Sequence, residues 1–210
     1  MITIQTERLT IRESSGRDFS RIYAMLLSAN TAAGENDSGR ISGVNRAGGM
    51  GSEEGMDSAG GMGSEDSMHC AGSSAGLFGV STDEDVELEK YLAYIHTVYS
   101  VFGFGLCSVV LKKTGEVIGW CGLQPVGDED SPLGRIELGY LIDQDYRRQG
   151  YAFEACRAIL DFAFSRLGLD EVYAVIDEKN EASLRLAEKL GFIREKGLLW
   201  TAVPFFIKNN

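Results

Sequence analysis

Cysteine, histidine and proline are scarce in this chain of 210 residues, with four, two and three copies. The four cysteines, Cys70, Cys107, Cys121 and Cys156, form no CxxC pair and no short Cys/His cluster, so neither a disulfide framework nor a structural metal site is expected. A reducing, cytoplasmic setting fits that usage. No apolar run approaches the roughly 18 to 20 residues that span a bilayer. Met1 to Glu13 also lacks a basic start followed by an apolar block, so no secretory signal or membrane partner is expected. Positive charge is short as well, 20 Lys and Arg against 31 Asp and Glu, which argues against nucleic-acid binding through a broad basic face. What is present, 44% hydrophobic residues, suffices for one globular domain of ordinary size spanning residues 1–210.

The acidity is local. Thr31 to Lys90 holds 12 acidic and three basic residues, a net of −9, leaving −2 for the rest of the chain. The same stretch carries an internal repeat: Ala47 to Glu53 and Ala59 to Glu65 both read AGGMGSE, and a third unit starts at Ala71-Gly72. Glycine loses the most entropy on ordering, and isolated methionines among glycines and acids return little burial, so a mobile loop is predicted over about residues 31–80. Met50, Met56, Met62 and Met68 recur every six residues. That spacing suits one face of a strand and keeps a β-solenoid or a methionine-rich metal site open. Tandem duplication yields the same regularity without a function, and His69-Cys70 alone is a weak ligand pair.

Around this insert the elements are regular. Ile2 to Glu13 alternates as a strand, and Ser15 with Asp18 three residues later has the form of a capping box opening a helix through Ser28. Ser81-Thr82 and the acids Asp83 to Asp85 start a second helix to Ser100, with Val86, Leu88, Leu92, Ile95, Val98, Tyr99 and Phe102 on its buried side. Phe104 to Lys112, Thr114-Gly115 and Glu116 to Leu123 read as a hairpin, followed by a loop over Val126 to Gly134 and a strand over Arg135 to Ile142. The order then becomes helix, strand, helix: Tyr151 to Leu167, Glu171 to Ile176, Glu181 to Leu190. Phe153, Cys156, Leu160, Phe164 and Leu167 share one side of the first of these, Gly168 ends it, and Leu198 to Ile207 is a last strand. The fold class expected is α+β with a mixed sheet.

Chemistry is most visible where the Arg135 strand passes through Tyr146-Arg147-Arg148-Gln149-Gly150-Tyr151-Ala152 into a helix. The first N–H groups of a helix lack intrahelical partners and carry the positive end of its dipole, so a Gly-containing entry can wrap a pyrophosphate. Gly150 permits close approach, Ala152 keeps the second contact small, and Arg147 and Arg148 can add charge-assisted bonds. A basic loop before a helix also matches RxxGxA by accident. Neither a GxxxxGK[ST] loop nor a GxGxxG turn between strand and helix is present.

Taken together, TERLTIRE at Thr6 to Glu13, IELGYLIDQDYRRQGYAFEA and NEASLRLAEKLGF from Asn180 to Phe192 resemble the GNAT N-acetyltransferases. Within them the likeness is to the branch of ribosomal-protein N-terminal (alanine/serine) acetyltransferases, and it covers nearly the whole chain apart from the insert. The resemblance implies a mixed, mostly antiparallel sheet flanked by helices, with central parallel strands, here those at Arg135 and Glu171, splayed to admit the pantetheine arm of acetyl-CoA. It implies that N–H groups of Gln149, Gly150 and Ala152, with Arg147, Arg148 and Tyr151 beside them, hold the pyrophosphate. Asn180 would bond the pantetheine arm, a position that a helix N-cap explains equally. Backbone N–H groups of Tyr140, Leu141 and Ile142 would polarise the thioester, with no metal required. Glu137 would take a proton from the amine, or be a solvated strand residue or salt-bridge partner; alternation leaves both open. Many members place a tyrosine acid where this chain has Ala187, so Ser183, one turn after Asn180, is the candidate for that role and alternatively completes the helix cap.

Direct transfer of acetyl to a primary amine in a ternary complex is the activity implied, with an acyl-CoA-binding module lacking turnover as the alternative. The acceptor, a protein N-terminus or a small-molecule amine, and the state, monomer or homodimer, are not fixed by any motif. Tyr140, Trp120, Tyr91, Tyr94 and Tyr99 read as core or groove wall, and His96 as an ordinary, partly buried helical side chain rather than a base. The insert would border the acceptor groove, either as a tolerated expansion or as an acidic lid for cationic amines.

Overall fold

The computed structural model describes residues 2–33, 83–126, 134–176, 178–195 and 199–204. The repeat segment and most of the loop expected between Val126 and Gly134 therefore lie outside the described residues. The first helix runs through Ala33, five residues past the expected end at Ser28 and three into the range assigned to the loop.

The N-terminal strand is two strands. β1 (Thr3–Gln5) and β2 (Leu9–Glu13) pair antiparallel with Ile4 opposite Ile11. Between them Thr6 closes a tight turn, its N–H donating to the Leu9 carbonyl at 3.0 Å and its Oγ1 accepting from the Leu9 N–H at 2.9 Å. Ile2 and Ile4 are even-numbered, Leu9 and Ile11 odd-numbered. One continuous strand would have sent the two pairs to opposite faces, and the turn returns both to the core. Ser15 and Asp18 then open α1 (Phe19–Ala33), the Ser15 N–H donating to Asp18 Oδ2 at 2.9 Å. Arg12 grips the same carboxylate through two nitrogens at 2.8 and 2.7 Å, a bidentate pair that fixes the helix entry to the sheet.

α2 (Glu84–Phe102) is capped by Asp83, whose side chain accepts from the N–H groups of Asp85 and Val86. The cap lies one residue beyond Ser81-Thr82, because a carboxylate serves two donors at once. Its inward face also differs from expectation: Tyr91 is buried with Glu87, while Val86, Leu92 and Phe102 are exposed. Apolar residues almost encircle this helix, so periodicity alone offers several faces. The face chosen carries Leu88, Tyr91, Tyr94 and Ile95, which cover Phe19, Leu106 and Trp120. His96 is exposed.

β3 (Leu106–Leu111), β4 (Glu116–Val126) and β5 (Arg135–Ile142) continue antiparallel from β2; α3 (Tyr151–Ser165) leads to β6 (Val172–Val175), α4 (Glu181–Leu190), β7 (Ile193–Arg194) and β8 (Leu199–Ala202). The eight-stranded sheet has the order β1-β2-β3-β4-β5-β6-β8-β7, antiparallel everywhere except between β5 and β6. Of the last strand expected over Leu198 to Ile207, β8 forms Leu199–Ala202 with β7 as an antiparallel neighbour, and residues 198 and 205–207 lie outside the described residues. α1 and α2 cover one sheet face; α3 and α4 cover the other, where Ala155, Cys156, Ile159, Leu160 and Ala163 of α3 join Cys121, Leu123 and Val172. Phe153, Phe164 and Leu167 are only partly buried, since the alanines let the α3 backbone lie closer to the sheet than phenylalanine would. Cys121 and Cys156 are buried free thiols with sulfurs 3.7 Å apart. No described helix is long and apolar enough to cross a membrane.

A close backbone crossing holds β4 against the start of β3. A Cβ at Gly122 would lie 2.2 Å from the Gly105 carbonyl oxygen and 2.7 Å from Leu106 Cα, and neither backbone atom can step aside alone. Gly122→Ala is expected to destabilise the fold by on the order of 2 kcal/mol, read as a lower midpoint in urea unfolding. An unchanged midpoint would contradict the crossing.

Candidate active site

The parallel pair at the sheet centre is joined at a single register, Glu137 opposite Tyr173. On its other edge β5 stays paired with β4 over its full length, from Val126↔Arg135 to Gly119↔Ile142. One edge closed and the other open is what makes a cleft. Leu138 and Tyr140 line it from β5, Ala174 and Ile176 from the β6 side, and Ser183 and Ala187 from α4. Local sequence explains the opening. β6 is only four residues long, and the chain then turns so that Asn180 caps α4, its Oδ1 accepting from the Ser183 N–H at 3.1 Å. The capping reading of Asn180 is thus observed.

Within the cleft Tyr140 Oη and Ser183 Oγ are 2.8 Å apart, and either can donate. Burial pushes the Tyr140 phenol above its ordinary pKa and the neighbouring Cys156 pushes the same way, against the Ser183 hydrogen bond. The phenol therefore stays protonated at neutral pH and is a hydrogen-bond donor. The ring is a groove wall, as its sequence position suggests, and its hydroxyl also completes a pair with the serine. Ala187, buried on the same helix, contributes only a methyl group to the lining.

Glu137 belongs to the opposite face of β5. Successive residues of a strand alternate, and Tyr140 packs with the α3/α4 cluster whereas Leu141, on the Glu137 side, packs with the α1/α2 cluster. Burial raises the Glu137 carboxyl to about 7, with Arg135 pulling the other way. Gln124, directly opposite on β4 and 4% exposed, shares that face. A carboxyl titrating near neutrality is matched to proton abstraction at physiological pH.

Past Ile142, Arg147 Nε donates to the Ile142 carbonyl at 2.9 Å and Gln149 Nε2 to the Asp145 carbonyl at 3.0 Å, which folds the connection back on itself. Arg148 has φ +60 and Gly150 φ +85. Gly150 is the N-cap of α3 and no side chain caps that end, so the first-turn N–H groups of Tyr151, Ala152 and Phe153 point to the loop mouth. The arrangement fits a diphosphate: an uncapped helix start, a glycine in the left-handed region, and Arg148 exposed beside it. Arg147 is partly engaged with the backbone rather than wholly available.

One participant was missed. Arg8, on the β1–β2 turn, donates to the Gln149 carbonyl at 2.9 Å and pairs with Glu154 at 2.6 Å. Nothing in local spacing joins residue 8 to residue 149, and only the likeness of TERLTIRE singled that stretch out. Among the described residues no group of three or more His, Cys, Asp or Glu side chains is placed to hold a metal ion.

Residues 74–193 match the family model described as an acetyltransferase (GNAT) domain. The uncharacterized N-acetyltransferase p20 of Bacillus licheniformis is 36% identical over 92 residues, covering 44% of this chain and 49% of p20; the chain spans about half the length of the curated relatives it matches. Among solved structures, the ribosomal-protein-S5-alanine acetyltransferase of Vibrio fischeri superposes with a TM-score of 0.61 at 14% identity, covering 97% of each chain. The ribosomal L7/L12 alpha-N-protein acetyltransferase RimL, in complex with coenzyme A, superposes with a TM-score of 0.63 at 12% identity, covering 96% of this chain and 98% of that one.

Proposed function

The chain belongs to the GNAT acetyltransferase family, and from that premise we propose that it transfers an acetyl group from acetyl-CoA to a primary amine, directly, within a ternary complex. The observation that carries the reading is the cleft between β5 and β6, which holds the Tyr140–Ser183 pair on one side of a strand whose other side carries Glu137 and whose chain leads on to the Gly150 loop. The diphosphate would rest on the N–H groups of Gln149, Gly150, Tyr151 and Ala152 with Arg147 and Arg148 nearby, and Asn180 would bond the pantetheine arm. The Tyr140 to Ile142 backbone would face the thioester carbonyl.

Glu137 accepts a proton from the amine, whose freed lone pair attacks the thioester carbon. The carbon–sulfur bond breaks, the surplus proton on the new amide nitrogen passes to the departing thiolate, and the Tyr140–Ser183 pair steadies that sulfur by a hydrogen bond. A thiol of pKa about 8.5 is a fair leaving group by itself, so the pair adjusts the rate and does not decide it. Ser183→Ala and Tyr140→Phe are each expected to lower kcat about tenfold, the worth of one hydrogen bond, with the KM for acetyl-CoA unchanged, measured by thiol release. An equal rise in KM would assign the pair to binding instead.

The test of the whole reading is release of coenzyme A thiol by the purified chain across a panel of peptide N-termini, polyamines and amino acids. Turnover with any of these supports it. Ala187, where a hydroxyl would otherwise line the cleft, favours the second reading, an acyl-CoA-binding module without turnover. Saturable acetyl-CoA binding with no thiol release across the panel would select that one.

A further inference from the structure

Glu154 occupies the first turn of α3, where a carboxylate is drawn to free N–H groups and to the positive end of the helix. Left to itself it would compete with any anion at the Gly150 loop. Three donors from the β1–β2 turn hold it instead: Thr6 Oγ1 at 2.5 Å and the Arg8 N–H at 2.8 Å to Oε1, and Arg8 Nε at 2.6 Å to Oε2. Burial opposes ionisation of this carboxyl, but the Thr6 and Arg8 bonds outweigh it and hold it below the ordinary glutamate value. It is therefore a full negative charge beside a site meant for another, and Arg8 is the cation that cancels it.

Arg8 also reaches the loop itself. Its Nη1 donates to the Gln149 carbonyl at 2.9 Å, its guanidinium lies 4.4 Å from the Tyr151 ring centre, and a Cβ on Gly150 would be 3.2 Å from its Nη2. The Gln149 carbonyl, an oxygen dipole next to the helix start, is thereby held on a cation. The turn that presents Arg8 is fixed in its own right by Thr6 and by Lys112, whose N–H donates to the Arg8 carbonyl at 2.9 Å.

We propose that Arg8 is a positioning residue for the diphosphate of acetyl-CoA: by binding the Glu154 carboxylate and the Gln149 carbonyl it keeps the first turn of α3 open to an anion. The inference rests on the acetyl-CoA reading above. Its distinguishing consequence is that loss of Arg8 harms binding chiefly by releasing Glu154, so removing the Glu154 charge should repair the damage.

Calorimetric titrations of acetyl-CoA, and of S-acetyl-pantetheine as a probe without the diphosphate, into the parent, Arg8→Ala, Glu154→Gln and the double variant test this, with thermal midpoints recorded for each. Arg8→Ala is expected to bind acetyl-CoA about tenfold more weakly, with most of that loss recovered in Arg8→Ala/Glu154→Gln and no change toward S-acetyl-pantetheine. Parent-like acetyl-CoA binding by Arg8→Ala would overturn the inference, and so would an uncorrected loss in the double variant, which would mark Arg8 as merely structural. A folded parent that binds no acetyl-CoA would overturn the acetyl-CoA reading and this inference with it; a binding parent separates the two.

Discussion

Glu137→Gln is expected to lower kcat/KM by about 100- to 10,000-fold and, in the same protein, to raise the unfolding midpoint above pH 7. The two effects have one cause. Burial beside β4 and β6 raises the carboxyl from its ordinary 4.5 to about 7, with Arg135 only partly compensating. As pH rises from about 4.5, the unfolded chain gives up this proton while the folded chain keeps it, so stability falls through the window from about 4.5 to about 7 and stays lowered above it. The full difference is at most roughly 3 kcal/mol. Glutamine has the same shape and no charge to desolvate, so the variant lacks that loss: its midpoint should match the parent near pH 4 and exceed it at pH 8.

Activity runs the other way. The parent rate should climb with pH through about 7 as the base ionises, whereas the residual rate of the variant should lack that limb. Thermal melts at the two pH values and a pH–rate profile from pH 5.5 to 9 read both halves. A variant that gains stability but keeps its activity would leave Glu137 as a buried carboxyl and nothing more.

How far such a site can be read from sequence depends on whether its parts are local. Asn180 and the helix after it were legible because a cap and a 3.6-residue period lie within a dozen residues, and α4 begins and ends at the expected positions, Glu181 and Leu190. The Gly150 loop was legible for the same reason, as strand, turn and helix follow one another directly. Parity in Ile2, Ile4, Leu9 and Ile11 also contained the β1–β2 turn, since one alternating strand cannot send even- and odd-numbered residues to the same face. What no local pattern holds is the Tyr140–Ser183 bond, which requires α4 to cross a strand 43 positions away, or Arg8 lying against Gln149 across 141 positions. The face of α2 was lost differently. Several apolar stripes compete on that helix, and the winner was set by the rings it had to meet on Phe19 and Trp120.

Gly150→Trp is expected to reduce acetyl-CoA affinity by at least about 100-fold, roughly 2.8 kcal/mol, without unfolding the chain. Two separate penalties meet at this position and a graded pair of variants parts them. The first is conformational: φ is +85, a region that glycine enters freely and side chains resist, at about 1 kcal/mol for a residue with a Cβ. Gly150→Ala has that penalty and little more, because its methyl group would meet only the far end of Arg8 at 3.2 Å. The second is steric and electrostatic, and belongs to the indole alone. Its bulk would lie over the α3 N-terminus, covering the N–H groups that charge-assisted bonds to phosphate would use, each worth about 1.5–3 kcal/mol. Gly115→Ala supplies the control, since that glycine has φ +74 with open space around it and belongs to the β3–β4 turn rather than to the loop; it should share the small loss of stability and bind acetyl-CoA as the parent does. The order expected in calorimetry is parent and Gly115→Ala alike, Gly150→Ala a few-fold weaker, Gly150→Trp at or beyond the limit of detection. If Gly150→Trp bound like Gly150→Ala, the anion would have to be held elsewhere than at this helix start, and the open edge of β5 would need a different ligand.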